Sequence, residues 1–123
     1  MTLPIPQIVA TYIDAWNETD PGKRMALLDE VWAKDGTYQD PNVEVKGREG
    51  LSKLIGGFQA GKPGVALQLT DPPSSHHEHV YFGWQMAAGP GRVVGKGFDF
   101  VTLDRAGQIS QIVGFFIAPA QGD

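Results

Sequence analysis

The stretch Val93-Val94-Gly95-Lys96-Gly97-Phe98-Asp99-Phe100-Val101-Thr102-Leu103 sets the architecture of this chain. It is rich in β-branched and aromatic residues, the composition of a strand. Apolar side chains fall on both parities, Phe98 and Phe100 on one, Val101 and Leu103 on the other. A sheet covered on one face only shows clean alternation, so both faces of this strand need cover. Two glycines and one carboxylate, Asp99, stand in its interior, where strands normally exclude them. Asp99 therefore lies either at a wet rim or in a cavity, where desolvation pushes its pKa up toward neutrality.

Three segments of the same period-2 character accompany it: Val65–Thr70, His77–Met86 and Ile109–Ile117. Turns at Asp71–Ser75, Ala88–Gly91 and Asp104–Gly107 separate them. In the last segment Ile112, Gly114 and Phe116 share one face, and Ile109, Val113, Phe115 and Ile117 the other. The doubled apolar faces predict helices on one side and a twofold-related copy of the sheet on the other, a homodimer. Upstream the periodicity becomes helical. Ile8, Val9, Tyr12, Ile13 and Trp16 form one face of a helix from Gln7 to Asn17. Asp20 caps and Pro21 opens a second helix, which turns Met25, Leu28, Val31 and Trp32 inward. A break at Lys34-Asp35-Gly36 precedes a short strand, Thr37–Asp40, stopped by Pro41. Leu51, Leu54, Ile55 and Phe58 mark a third helix, weakened and ended by Gly56, Gly57 and Gly61. Helices first and an antiparallel meander last is the α+β pattern, in one domain spanning 1–123.

Composition narrows the function classes. The absence of cysteine among 123 residues removes thiolate nucleophiles, disulfides and Cys-based zinc sites. A net charge of −4 without a basic run argues against nucleic acid and anionic membrane as partners. No apolar run approaches the ~20 residues of a membrane span, and Met1-Thr2-Leu3-Pro4 lacks the features of a secretion signal, so a cytoplasmic protein is expected. In Ser75-His76-His77-Glu78-His79 a strand puts His77 and His79 on one face and Glu78 on the other. That leaves too few converging ligands, and no metal is expected. Gly95-Lys96-Gly97 has no helix after it and is not a phosphate loop, and no serine has the Gly-x-Ser-x-Gly context. No cofactor is expected either.

Two helices, a short strand ending in Tyr38-Gln39-Asp40-Pro41, a third helix and four antiparallel strands resemble the nuclear-transport-factor-two-like superfamily. The match is closest in style to its SnoaL-like branch, relatives of ketosteroid isomerases and polyketide cyclases, and runs from about Ile8 to Phe116. The resemblance implies a cone-shaped, bent antiparallel sheet wrapped by three N-terminal helices around an apolar pocket. Gly83, Gly95, Gly97 and Gly114, inside strands, suit such curvature, while Gly36, Gly64, Gly89, Gly91 and Gly107 suit turns. Laid against the ketosteroid isomerases, Trp32–Pro41 looks like the stretch holding their proton-shuttling carboxylate, which falls on Asp40. Gly97–Phe116 looks like their last hairpin and places the protonated acid of the oxyanion hole on Asp99. Tyr12 stands where they have the tyrosine of that hole, and Trp32 where they have a tyrosine supporting it. The resemblance thus implies a cofactor-free isomerase or cyclase acting on a steroid-like or polyketide-like carbonyl compound. Asp40 would move a proton, Tyr12 and neutral Asp99 would donate to the enolate oxygen, and Trp16, Trp32, Tyr38, Leu54, Phe58, Phe82, Trp84, Val101, Ile112 and Phe116 would line the pocket. The alternative is a non-catalytic dimer that binds an apolar ligand in the same cone.

Overall fold

The computed structural model describes residues 3–117; Met1 and Thr2 of the opening segment lie outside them. In chain order the elements are α1 (Ile5–Asn17), α2 (Pro21–Val31), β1 (Trp32–Asp40), β2 (Val43–Lys46), α3 (Gly47–Gly61), β3 (Ala66–Leu69), β4 (Ser74–His76), β5 (His79–Ala87), β6 (Val93–Leu103) and β7 (Ile109–Phe116). The apolar face of α1 is buried from Ile8 to Trp16. Helix α2 starts where the Asp20 carboxylate accepts the Lys23 N–H at 2.8 Å, with Pro21 in its first turn. Helix α3 runs through Gly56 and Gly57 instead of fraying there. Leu51 and Ile55 are fully buried, and that burial outweighs the roughly 1 kcal/mol each interior glycine costs.

A buried guanidinium with no carboxylate partner among the described residues, Arg24, joins the helices. It donates to the carbonyls of Glu18 and Ser52, each at 3.0 Å, and to Gln59 Oε1 at 2.8 Å. Gln59 Nε2 in turn donates to the Trp16 carbonyl at 2.9 Å. This network ties α1, α2 and α3 together and fixes Trp16.

The strands form one open sheet, ordered β2-β1-β7-β6-β5-β3, with β4 also paired to β5. Contrary to the antiparallel expectation the sheet is mixed, because β1 runs parallel to β7. The chain passes through α3 and the whole meander between those strands, so no tight turn dictates their relative direction. Strand β1 also begins at Trp32, without the expected break. Lys34-Asp35-Gly36 falls in an irregularity between the pairs Trp32–Ile109 and Thr37–Gln111. Gly36 is thus no turn residue; it lies under the Trp32 indole, where a Cβ would stand 2.6 Å from Nε1. Ser74 and Ser75, expected in a turn, instead form β4 with His76, which pairs with β5 so that His76 faces His79. His77 and Glu78 make the connection, His77 at φ 53°, so His77 and His79 do not share a strand face.

Further register shifts fall between Met86 and Ala87 and between Thr102 and Leu103, and such irregularities bend the sheet into the α+β cone. At the second, Ser110 is the extra residue. It turns Ile109 into the core, 1% exposed, and away from the outer face expected for it beside Val113 and Phe115. The face under the helices carries Val80, Phe82, Trp84, Asp99, Val101 and Ile112, all buried. The opposite face carries the aromatic cluster Tyr81, Phe98, Phe100 and Phe115, with ring centroids 5.2–6.2 Å apart.

Candidate functional site

The inner face of the cone encloses a cavity of about 70 Å³. Tyr12 and Trp16, one helical turn apart on α1, enter it side by side. Tyr38 and Asp40 come from β1, Trp84 and Met86 from β5, Asp99 from β6 and Phe116 from β7, and Phe58 and Leu67 complete the lining. The five residues Tyr12, Trp16, Tyr38, Trp84 and Asp99 are buried, whereas Asp40, Phe58, Leu67, Met86 and Phe116 keep contact with solvent and form the rim. Leu67 is held by Asn17, whose side-chain amide donates to the Leu67 carbonyl at 2.8 Å and accepts from its N–H at 2.7 Å.

Asp99 is 5% exposed, and its Oδ1 accepts the Trp84 indole N–H at 3.0 Å. Burial pushes its pKa up to about 7; the Trp84 bond holds it down in part, and the Asp40 charge raises it further. The carboxyl is therefore present in both protonation states at neutral pH. Its seat depends on missing side chains. A Cβ on Gly114 would stand 2.9 Å from Asp99 Oδ1, and one on Gly97 would collide with the Trp84 ring and the Phe115 carbonyl.

Two further donors belong to residues that line the same cavity. Tyr12 Oη and Trp16 Nε1 are buried with no hydrogen-bond partner among the described residues. Burial raises the Tyr12 pKa well above its ordinary value, with the Asp99 charge adding and the neighbouring Trp16 N–H opposing. That indole lies close enough to ease the phenol down, yet the two groups do not align as a hydrogen bond. Tyr12 stacks on Trp32 with centroids 5.9 Å apart and meets Phe82 edge-on at 6.2 Å. Trp32 gives its own N–H to the Gly36 carbonyl at 3.3 Å, so it backs the Tyr12 ring without bonding its hydroxyl.

Asp40 has two tasks. Its Oδ1 accepts the N–H groups of Asn42 at 2.8 Å and Val43 at 3.1 Å, which fixes the β1–β2 turn. Its Oδ2 accepts the Tyr38 hydroxyl at 2.8 Å and lies with the cavity group. Burial, then the Asp99 and Asp40 charges, raise the Tyr38 pKa, so that hydroxyl stays protonated and donates.

The structure thus brings Tyr12, Asp40 and Asp99 to one cavity, together with Trp16, Tyr38, Phe58, Trp84 and Phe116. Trp32, Leu54, Phe82, Val101 and Ile112, expected in the lining, do not reach it. Trp32, Phe82, Val101 and Ile112 are closed off in the core, at most 3% exposed, and Leu54 packs against that core. Leu67 and Met86 were not foreseen, although Met86 shares the strand parity of Trp84. The exposed histidines His76, His77 and His79 do not line the cavity, and among the described residues no group of three or more His, Asp or Glu is arranged for a metal. No described helix is long and apolar enough to cross a membrane.

Residues 9–112 match the SnoaL-like domain family. A proposed isomerase of the SnoaL-like family from Agrobacterium tumefaciens is 32% identical, with a TM-score of 0.86 over 91% of this chain and 96% of that one. A proposed polyketide cyclase from Sinorhizobium meliloti shares the fold at 16% identity and a TM-score of 0.69, over 89% of this chain and 94% of its own. So does a protein with a ketosteroid isomerase-like fold from Catenulispora acidiphila, solved with trimethylamine, at 20% identity and a TM-score of 0.72, over 90% and 85%. Among curated proteins none matches the chain significantly.

Proposed function

The chain belongs to the SnoaL-like domain family, and on that premise we propose that it is a cofactor-free isomerase or cyclase, moving a proton beside the carbonyl of a compact, mostly apolar compound. One observation carries the reading. Two enclosed donors without partners, Tyr12 Oη and Trp16 Nε1, share a small apolar cavity with the Asp99 carboxyl, and a second carboxylate, Asp40, stands on the same cavity. A buried donor left unpaired costs about 1–3 kcal/mol. A ligand oxygen accepting from these groups removes that cost.

In the reaction Asp40 takes a proton from the carbon next to the carbonyl, and the electron pair moves onto the carbonyl oxygen. Tyr12 and neutral Asp99 donate to that enolate oxygen, with Trp16 a third donor on the same lining. Return of the proton from Asp40 to the far carbon of the conjugated system completes an isomerisation; attack of the enolate carbon on a second carbonyl, whose oxygen takes the proton back from Asp40, completes a ring closure. The cavity volume favours a small ring or the reactive end of a longer molecule over an enclosed four-ring skeleton. The aromatic face opposite the helices, with Tyr81 41%, Phe100 49% and Phe115 45% exposed, pairs with the same face of a second copy.

The test uses 3-cyclohexen-1-one, whose conversion to 2-cyclohexen-1-one is followed by ultraviolet absorbance. The protein accelerates the conversion, and Asp40→Asn loses about 10²–10⁴-fold while keeping its circular dichroism spectrum. Equal turnover in the variant removes Asp40 from the mechanism. Saturable binding of the ketone without turnover makes the protein a non-catalytic binder.

A further inference from the structure

We propose that Trp84 is a positioning residue: its indole N–H turns the Asp99 carboxyl so that Oδ1 always accepts and the proton of the neutral acid is carried on Oδ2, toward the ligand. The orientation is a property of the empty protein, and only its use by a ligand oxygen rests on the function proposed above.

Three features of the geometry converge on it. An indole N–H is a donor only. It meets Oδ1 at 3.0 Å in a buried pair, so a proton on Oδ1 would set two donors against each other. The pair has a built seat, because the sheet is bare beneath it: Gly97 lies under the indole and Gly114 against Oδ1. Among the described residues Asp99 Oδ2 has no hydrogen-bond partner and is not one of the fully enclosed unpartnered atoms, which are Tyr12 Oη and Trp16 Nε1. Oδ2 of this cavity-lining carboxyl therefore keeps some accessibility.

Trp84 also sets the charge of the site. The titratable groups facing Asp99 are Tyr12 from α1 and Tyr38 and Asp40 from β1, none of them a cation. The Trp84 N–H is the group that favours the ionised form, against burial and the Asp40 charge. It holds the titration down, and without it the neutral acid persists to higher pH.

The experiment is a carbon-13 NMR titration of the Asp99 carboxyl in the ligand-free protein and in Trp84→Phe, which keeps an apolar ring and deletes the N–H. The midpoint moves up by about one pH unit or more in the variant, the scale of a hydrogen bond to a charged acceptor. An unchanged or lower midpoint overturns the proposal. If the variant does not fold, the wild-type indole proton decides: it shifts with the same midpoint as Asp99 as its acceptor gains charge, and an indole proton indifferent to that titration overturns the proposal equally. Neither readout needs substrate. Absent ketone turnover with an intact coupled titration refutes the reaction and leaves the positioning role, and the converse result does the opposite.

Discussion

Replacing Asp99 by asparagine isolates the energetic cost of the buried acid without any substrate. In the unfolded chain the carboxyl ionises near its ordinary 3.8, and in the folded protein near 7. Between those values the native state holds a proton that the unfolded state has released, so stability falls as pH rises, by about 1.36 kcal/mol per pH unit. The contribution of neutral Asp99 is fully present below about pH 4, is lost as pH climbs, and levels off above about pH 7. The full loss is on the order of 4 kcal/mol, of which roughly 3 kcal/mol falls between about pH 5 and pH 8. Asparagine preserves the shape and can accept the Trp84 N–H, but it does not titrate. Urea unfolding of both proteins across that range cancels, in the difference, the titrating groups that Asp99 does not influence. The variant gains on the wild type by about 3 kcal/mol from the acid end to the alkaline end. Parallel curves for the two proteins would refute a raised pKa at Asp99 and, with it, a neutral acid in the cavity.

Two further outcomes follow from the same geometry. Tyr12→Phe deletes a buried hydroxyl that has no partner, so denaturant unfolding of the empty protein shows a gain of about 1 kcal/mol, while ketone turnover falls about 10²–10³-fold. Phe100→Glu places a charge in the middle of the exposed aromatic face, and sedimentation shows dimers becoming monomers with an unchanged circular dichroism spectrum; an unaltered sedimentation coefficient removes that face from the assembly.

The parts of the fold legible in the sequence are those that a single periodicity controls. Ile8, Val9, Tyr12, Ile13 and Trp16 repeat at helical spacing, and α1 buries all five. Asp20-Pro21 carries its own capping chemistry, and α2 starts there. The parallel pairing of β1 with β7 had no such signature, because alternation within a strand says nothing of the direction of a partner about seventy residues away. The Ser110 bulge was hidden for a related reason. One inserted residue reverses parity, so Ile109 changes face without any change in local composition. Gly36 resembles a turn glycine in sequence, yet what requires it is the Trp32 indole folded across it, a contact set by the core rather than by neighbours in the chain.

In the site, parity gave direction but not depth. Val80, Phe82, Trp84 and Met86 lie on one face of β5, yet only Trp84 and Met86 line the cavity, because Phe82 packs against Tyr12 and Val80 is closed off in the core. Depth depends on where α1 and α3 cover the sheet, and the buried Arg24–Gln59 network that sets this has no sequence pattern of its own. What the three-dimensional arrangement adds is a conflict between stability and chemistry. A raised acid and two unpaired donors each destabilise the empty cone, and all three lie within one cavity instead of being scattered through the core. A hydrocarbon could fill that volume and still leave every one of those costs in place. An acceptor atom that reached these groups would relieve those costs, so under the proposed function a polar atom on the ligand is favoured by the unsatisfied groups themselves and not by the shape of the apolar walls.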